Sequence, residues 1–88
     1  METIKAILVD DEKNSLSTLQ LLLDKYCPEV EVIGTAQNVA DSIKIIDELK
    51  PELVFLDIAM PDGDGFEVLE NVSHKLFQVI FTTAYDQY

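Results

Sequence analysis

The chain contains no arginine and no tryptophan, and only one cysteine, one histidine, three glycines and three prolines. A single cysteine, Cys27, excludes an internal disulfide, and with His74 as the only histidine there is no Cys/His cluster for zinc. The same scarcity leaves a Ser–His–Asp or Cys–His device few ways to exist. No glycine-rich phosphate loop is present, which argues against nucleotide binding. Positive charge is scarce as well: six lysines face 17 Asp plus Glu, for a net charge of -11. Such a chain is ill suited to gripping a nucleic-acid backbone or an anionic membrane, and better suited to holding a cation. The apolar run from Ala6 to Val9 stops at Asp10 and Asp11, too short for a signal-peptide core or a membrane span. The expectation is a cytoplasmic protein.

What is present is a core. Apolar residues make up 48% of the chain and charged residues 26%, the balance of a folded domain and not of an acidic disordered tail. At 88 residues there is room for one domain, 1–88. Apolar strand-like runs alternate with helical spacings. Ile4 to Val9 suits a buried strand. Leu16, Leu19, Leu23 and Tyr26 recur at helical intervals over residues 13 to 26, with Pro28 just beyond. Glu31 to Ala36 is a second strand. Asn38 can cap a helix with the face Val39, Ile43, Ile46 and Leu49, stopped by Pro51. Leu53 to Asp57 is a third strand, followed by a loop with Pro61, Gly63 and Gly65. A short helix face of Phe66, Leu69 and Val72 follows, then a fourth strand, Gln78 to Thr83. This alternation predicts an α/β fold, an open parallel sheet with right-handed crossovers and helices on both faces.

In such sheets ligands sit at the carboxyl ends of the strands, where strand order reverses. The first strand ends at Asp10 and Asp11, the third at Asp57, and the fourth at Thr82 and Thr83. If the first and third strands are neighbours, three carboxylates converge. Two unit charges about 4 Å apart repel by about 4 kcal/mol at an effective dielectric near 20, so the cluster needs compensation. A hard divalent cation, Mg²⁺, supplies it. The plainer reading of any one of these acids is a solvated loop residue or a helix cap.

The opening ILVDDE, the central FLDIAMPDGDGFE and the late VIFTTAYD, in this order and spacing, resemble the receiver domain of two-component response regulators. DDEKNSL, VIGTA and TTAYDQY lean toward receivers that precede a LytTR-type DNA-binding domain. The resemblance implies a flavodoxin-like, doubly wound parallel sheet. It implies a phosphoacceptor, Asp57, that takes a phosphoryl group from a sensor histidine kinase with Mg²⁺ and relays the change to an output domain of transcriptional type. Asp11 and Asp57 would be direct metal ligands, Asp10 would act through water, and Ala59 would offer its backbone carbonyl. Thr83 would be the switch hydroxyl and Ala84 the small residue beside it; Pro61 and Gly65 match the family's loop. Such a module is a relay and not a turnover enzyme. It contacts neither nucleic acid nor membrane itself.

A complete receiver continues through a further helix, a fifth strand and a last helix, so the resemblance implies that residues 1–88 are an incomplete receiver, truncated after the fourth strand. The fifth strand brings a lysine to the phosphoryl group and an aromatic residue beside the threonine. Among Lys5, Lys13, Lys25, Lys44, Lys50 and Lys75 only Lys13 lies near a site loop, and a solvated helix start is its simpler reading. Without a fifth strand, residues 78 to 83 form an open apolar edge, which predicts association into a homo-oligomer. Two other functions compete. One is a phosphorylation-independent interaction module, separated from the first by its indifference to Asp57. The other is a Mg²⁺-dependent phosphatase with an aspartate nucleophile; that chemistry wants a second aspartate where Ala59 stands. The DGDG segment from Asp62 fails as a calcium loop, because Phe66 and Glu67 occupy the third-ligand and glycine positions. It reads as a turn, Cys27 as a helix-end thiol, and His74 as a solvated connector.

Overall fold

The computed structural model describes residues 3–82. Its elements are β1 (Ile4–Val9), α1 (Lys13–Tyr26), β2 (Val30–Ala36), α2 (Val39–Leu49), β3 (Leu53–Leu56), β4 (Ala59–Met60), β5 (Gly63–Asp64), α3 (Gly65–Asn71) and β6 (Gln78–Phe81). Four of the strands form a parallel sheet in the order β2-β1-β3-β6. The chain moves from β1 outward to β2, then crosses back to β3 on the other side of β1. Strand order therefore reverses between β1 and β3, which makes the first and third strands the neighbours on which the meeting of the three carboxylates depends.

Alternate residues of the central strands feed two cores. Ile7, Val9, Val54 and Leu56 face α2 and α3, where they meet Val39, Ile46, Val68 and Val72. Ala6, Leu8 and Phe55 face α1 through Leu16 and Leu23. β1 is buried from Ala6 to Val9 because it is covered on both faces. β2 carries a bulge: Ala6 pairs with Val32 but Ile7 pairs with Gly34, leaving Ile33 as the extra residue. The insertion shifts the side-chain alternation, so Val30 and Val32 pack toward α1 while Ile33 and Ala36 pack toward α2.

Several boundaries and faces differ from those the sequence predicts. β2 begins at Val30, one residue earlier, because its N–H closes the turn onto the Cys27 carbonyl at 2.9 Å. Tyr26 leaves the α1 face and lies 67% exposed, with the Lys25 ammonium over its ring. Phe66 likewise turns outward, and Val68, one residue off the expected face of α3, is fully buried. Phe66 instead meets Phe81, ring centroids 5.5 Å apart. His74 is no solvated connector: it is half-buried, Nε2 lies 3.0 Å from the Pro51 carbonyl, and the ring stacks on Phe77. Cys27 does end α1, its N–H donating to the Leu23 carbonyl. The fourth sheet strand stops at Phe81; Thr82 follows it, and Thr83 and Ala84 lie outside the described residues. Among the described residues β6 has β3 as its one strand neighbour, with Ile80 and Phe81 nearly half exposed.

Candidate functional site

The ladder of the sheet continues one residue past the ends of its strands. Asp10 donates its backbone N–H to the Ala36 carbonyl (3.1 Å), Asp57 to Val9 (3.0 Å) and Thr82 to Leu56 (3.0 Å). Each bond fixes the residue just after a strand against its neighbour, so the first residue beyond three strands is held at one edge. β3 thus ends at Leu56, and Asp57 is its first residue outside the strand. Asp11 follows Asp10 in the β1–α1 loop. Carboxylate oxygens of Asp10, Asp11 and Asp57 all lie within 4.8 Å of one another. Asp10 and Asp57 are half-buried, and Asp11 is exposed.

The electrostatics carry the mark of this crowding. The Asp10 carboxyl is pushed above its ordinary value of 3.8, first by burial and then by the charges of Asp57, Asp11 and Glu12; a hydrogen bond from the Glu12 N–H pulls the other way. That bond, 2.9 Å to Asp10 Oδ1, also shapes the loop into α1. A cluster of hard anionic oxygens with two half-buried members fits a small divalent cation, which would relieve the repulsion. Lys13 is exposed at the start of α1. Asp10 and Thr82 also share the mouth of a groove along α1 with Asn14, Ser15 and Thr18.

The segment after Asp57, expected to be a loop, folds into a two-stranded hairpin. Ala59 pairs with Asp64 and Met60 with Gly63 across a turn at Pro61 and Asp62. Strands this short need their ends tied, and the base of the hairpin is tied twice. Asp64, paired with Ala59, caps α3: its carboxylate accepts from the Glu67 N–H at 2.9 Å, and the Glu67 side chain accepts from the Asp64 N–H. Gly63 has φ 153, and a Cβ there would meet the Glu67 carboxylate at 2.7 Å. Beside that cap the Gly65 N–H donates to the Ile58 carbonyl at 2.7 Å. A Cβ on Gly65 would lie 2.8 Å from the Asp57 carbonyl oxygen and 3.1 Å from Leu56 Cγ. Gly65→Ala is therefore expected to destabilise the fold by about 1–3 kcal/mol through overpacking. A urea midpoint unchanged by this substitution would mean that the backbone at Asp57 yields freely.

One contact of this hairpin has no counterpart in the sequence pattern, which places Asp62 only in a turn. Its carboxylate accepts from the first two N–H groups of α2, Val39 at 2.8 Å and Ala40 at 3.2 Å. No local signal can announce a contact between residues 23 positions apart.

The model of the response regulator receiver domain family matches residues 6–88. The chain belongs to that family. An uncharacterized response regulatory protein of Vibrio cholerae is 43% identical over 86 residues, 97% of this chain and 36% of the relative. The sensory transduction protein LytT of Bacillus anthracis is 41% identical over 88 residues, 97% of this chain and 35% of the relative. Among solved structures, the response regulator domain of Thermotoga maritima CheB superposes with a TM-score of 0.84 at 28% identity, covering 93% of this chain and 61% of that one. The receiver thus has its family's α/β fold, and it spans about a third of the length of the curated relatives it matches. Receivers are regulatory modules of two-component signalling. No helix among the described residues is long and apolar enough to cross a membrane.

Proposed function

We propose that this receiver accepts a phosphoryl group on Asp57 from a sensor histidine kinase, with Mg²⁺, and relays the change to an output domain of transcriptional type. The observation that carries this reading is the convergence of the Asp10, Asp11 and Asp57 carboxylates within 4.8 Å at the edge where strand order reverses. Asp11 and Asp57 would hold the metal directly, Asp10 through water, and Ala59 through its backbone carbonyl. When bound, the metal neutralises charge on the transferring phosphoryl oxygens. An Asp57 oxygen bonds to phosphorus as the P–N bond of a phosphohistidine breaks, and the departing imidazole keeps the electron pair. A carboxylate needs no base to act as this nucleophile. Its half-buried position, fixed by its N–H on the Val9 carbonyl, limits the orientations it must search. Thr83 is the proposed switch hydroxyl, able to turn toward the new phosphoryl oxygens. The module relays and does not turn over substrate. LytT's description as a sensory transduction protein, and its greater length, support a separate output region. The net charge of -11 argues that nucleic-acid contact would belong to that region and not to this segment.

The test is incubation of the intact protein with a small phosphodonor, with Mg²⁺ and with a chelator, followed by intact-mass measurement. One phosphoryl group is expected with Mg²⁺ and none with the chelator. Equal uptake in both arms would overturn the metal assignment, and no uptake in either would overturn the acceptor.

A further inference from the structure

The N-terminus of α2 is completed by a residue from the acceptor loop. Asn38 supplies the local cap, accepting from the Asp41 N–H at 2.7 Å, and the Ser42 N–H closes the first turn onto the Asn38 carbonyl. That leaves the Val39 and Ala40 N–H groups without helical partners. Asp62 takes both, one with each carboxylate oxygen. The Val39 bond is also what chiefly holds the Asp62 carboxyl below its ordinary value. Asp62 stands at the tip of the hairpin that leaves Asp57 through Ile58 and opens β4 at Ala59. The base of the hairpin is fixed by the Gly65 bond to Ile58 and by the α3 capping box. Asp62 fixes the tip. With both ends tied, the backbone from Asp57 to Ala59 has its path set by two helices, not by its own two-residue strands.

We propose that Asp62 is a positioning residue for the acidic site: by clamping the hairpin tip to α2 it places Ala59 relative to Asp10, Asp11 and Asp57, and so sets Mg²⁺ affinity and the rate of phosphoryl uptake. This rests on the reading of Asp57 as acceptor. Asp62 touches neither metal nor phosphoryl group in this scheme; it acts through the backbone of residues 58–61. A purely structural cap would behave differently, and Asn38 provides the comparison. Asn38 caps the same helix end, with its side-chain bonds to Asp41 inside the first turn of α2.

The experiment uses the intact protein as parent, Asp62→Ala, Asp62→Asn, Asn38→Ala and Asp57→Asn. The readouts are calorimetric Mg²⁺ titration, amide exchange over residues 58–64, and labelling rate at low and saturating Mg²⁺. Asp62→Ala is expected to weaken Mg²⁺ binding about tenfold, the low end of what losing outer-shell support costs. Labelling should slow by a similar factor at low Mg²⁺ and recover at saturation, and exchange at 58–64 should speed up. Asp62→Asn keeps one acceptor oxygen and should fall between, and it carries the test if the alanine variant fails to fold. Asn38→Ala should lower the melting temperature while leaving Mg²⁺ affinity and hairpin exchange at parent values. Loss of stability alone in Asp62→Ala, or an equal affinity loss in Asn38→Ala, overturns the proposal. A parent that is labelled, and not labelled in Asp57→Asn, with Asp62→Ala indistinguishable from it, overturns the clamp alone. A parent that binds no Mg²⁺ overturns the clamp together with the reading beneath it.

Discussion

Asp57→Asn is expected to abolish phosphoryl uptake outright while leaving the metal-free fold at least as stable as the parent. The amide matches the carboxylate in shape but is no nucleophile toward phosphorus, so the loss should be complete and not partial. Stability should move the other way. Asp57 is one of three carboxylates whose oxygens lie within 4.8 Å of one another. At about 4 Å a like-charge pair costs about 1 kcal/mol in bulk water and about 4 at an effective dielectric of 20, and the half-exposed site lies toward the lower figure. A gain of about 1 kcal/mol corresponds to about 4–8 °C for a chain of this size. The pH dependence has a defined sign. Asp10 binds its proton more tightly in the folded state than its ordinary value of 3.8, chiefly through burial and then through its acidic neighbours. Its contribution to stability is therefore full below 3.8 and declines as pH rises through the raised value. Removing the Asp57 charge should make that decline shallower. Label retained by the variant, whether on Asp10, Asp62 or elsewhere, would refute the assignment of the acceptor.

Ile46→Ala is expected to cost about 2–5 kcal/mol, a large fraction of the roughly 5–15 kcal/mol by which a domain is stable. Ile46 is fully buried in the core that joins β1 and β3 to α2 and α3. Its deletion leaves a cavity between two layers that cannot both close. Tyr26→Ala, at a position that the same helical spacing made equally apolar, should cost less than about 0.5 kcal/mol, because that side chain is 67% exposed. Denaturant unfolding of both variants, with unchanged slopes, checks the pair. Comparable midpoint losses would mean that Tyr26 packs against something in solution.

The elements that rest on local periodicity are legible in the amino-acid order. Ile4–Val9 and Lys13–Tyr26 fall where apolar alternation and helical spacing place them, and Asn38 caps α2 as its residue type suggests. The acidic site is legible for a related reason. Its members are the residues that follow apolar strand runs, and an open parallel sheet gathers such ends where strand order reverses.

Other features depend on what surrounds a residue and not on its sequence neighbours. The β4–β5 hairpin is too short to announce itself, and persists because Asp64 and Gly65 tie one end and Asp62 ties the other. The bulge at Ile33 follows from fitting β2 to two cores with one strand. Phe66 and Val68 exchange their expected roles because the packing of α3 on the sheet selects which face of so short a helix is covered. Amino-acid order by itself determined the strands of the main sheet, the helices and the standing of Asp10, Asp11 and Asp57 at strand ends, since hydrophobic period and strand ends are local properties; that these ends meet needed β1 and β3 to pair. The grip of Asp62 on α2 was decided by tertiary structure alone, since a hydrogen bond across 23 residues exists only once packing brings its partners together.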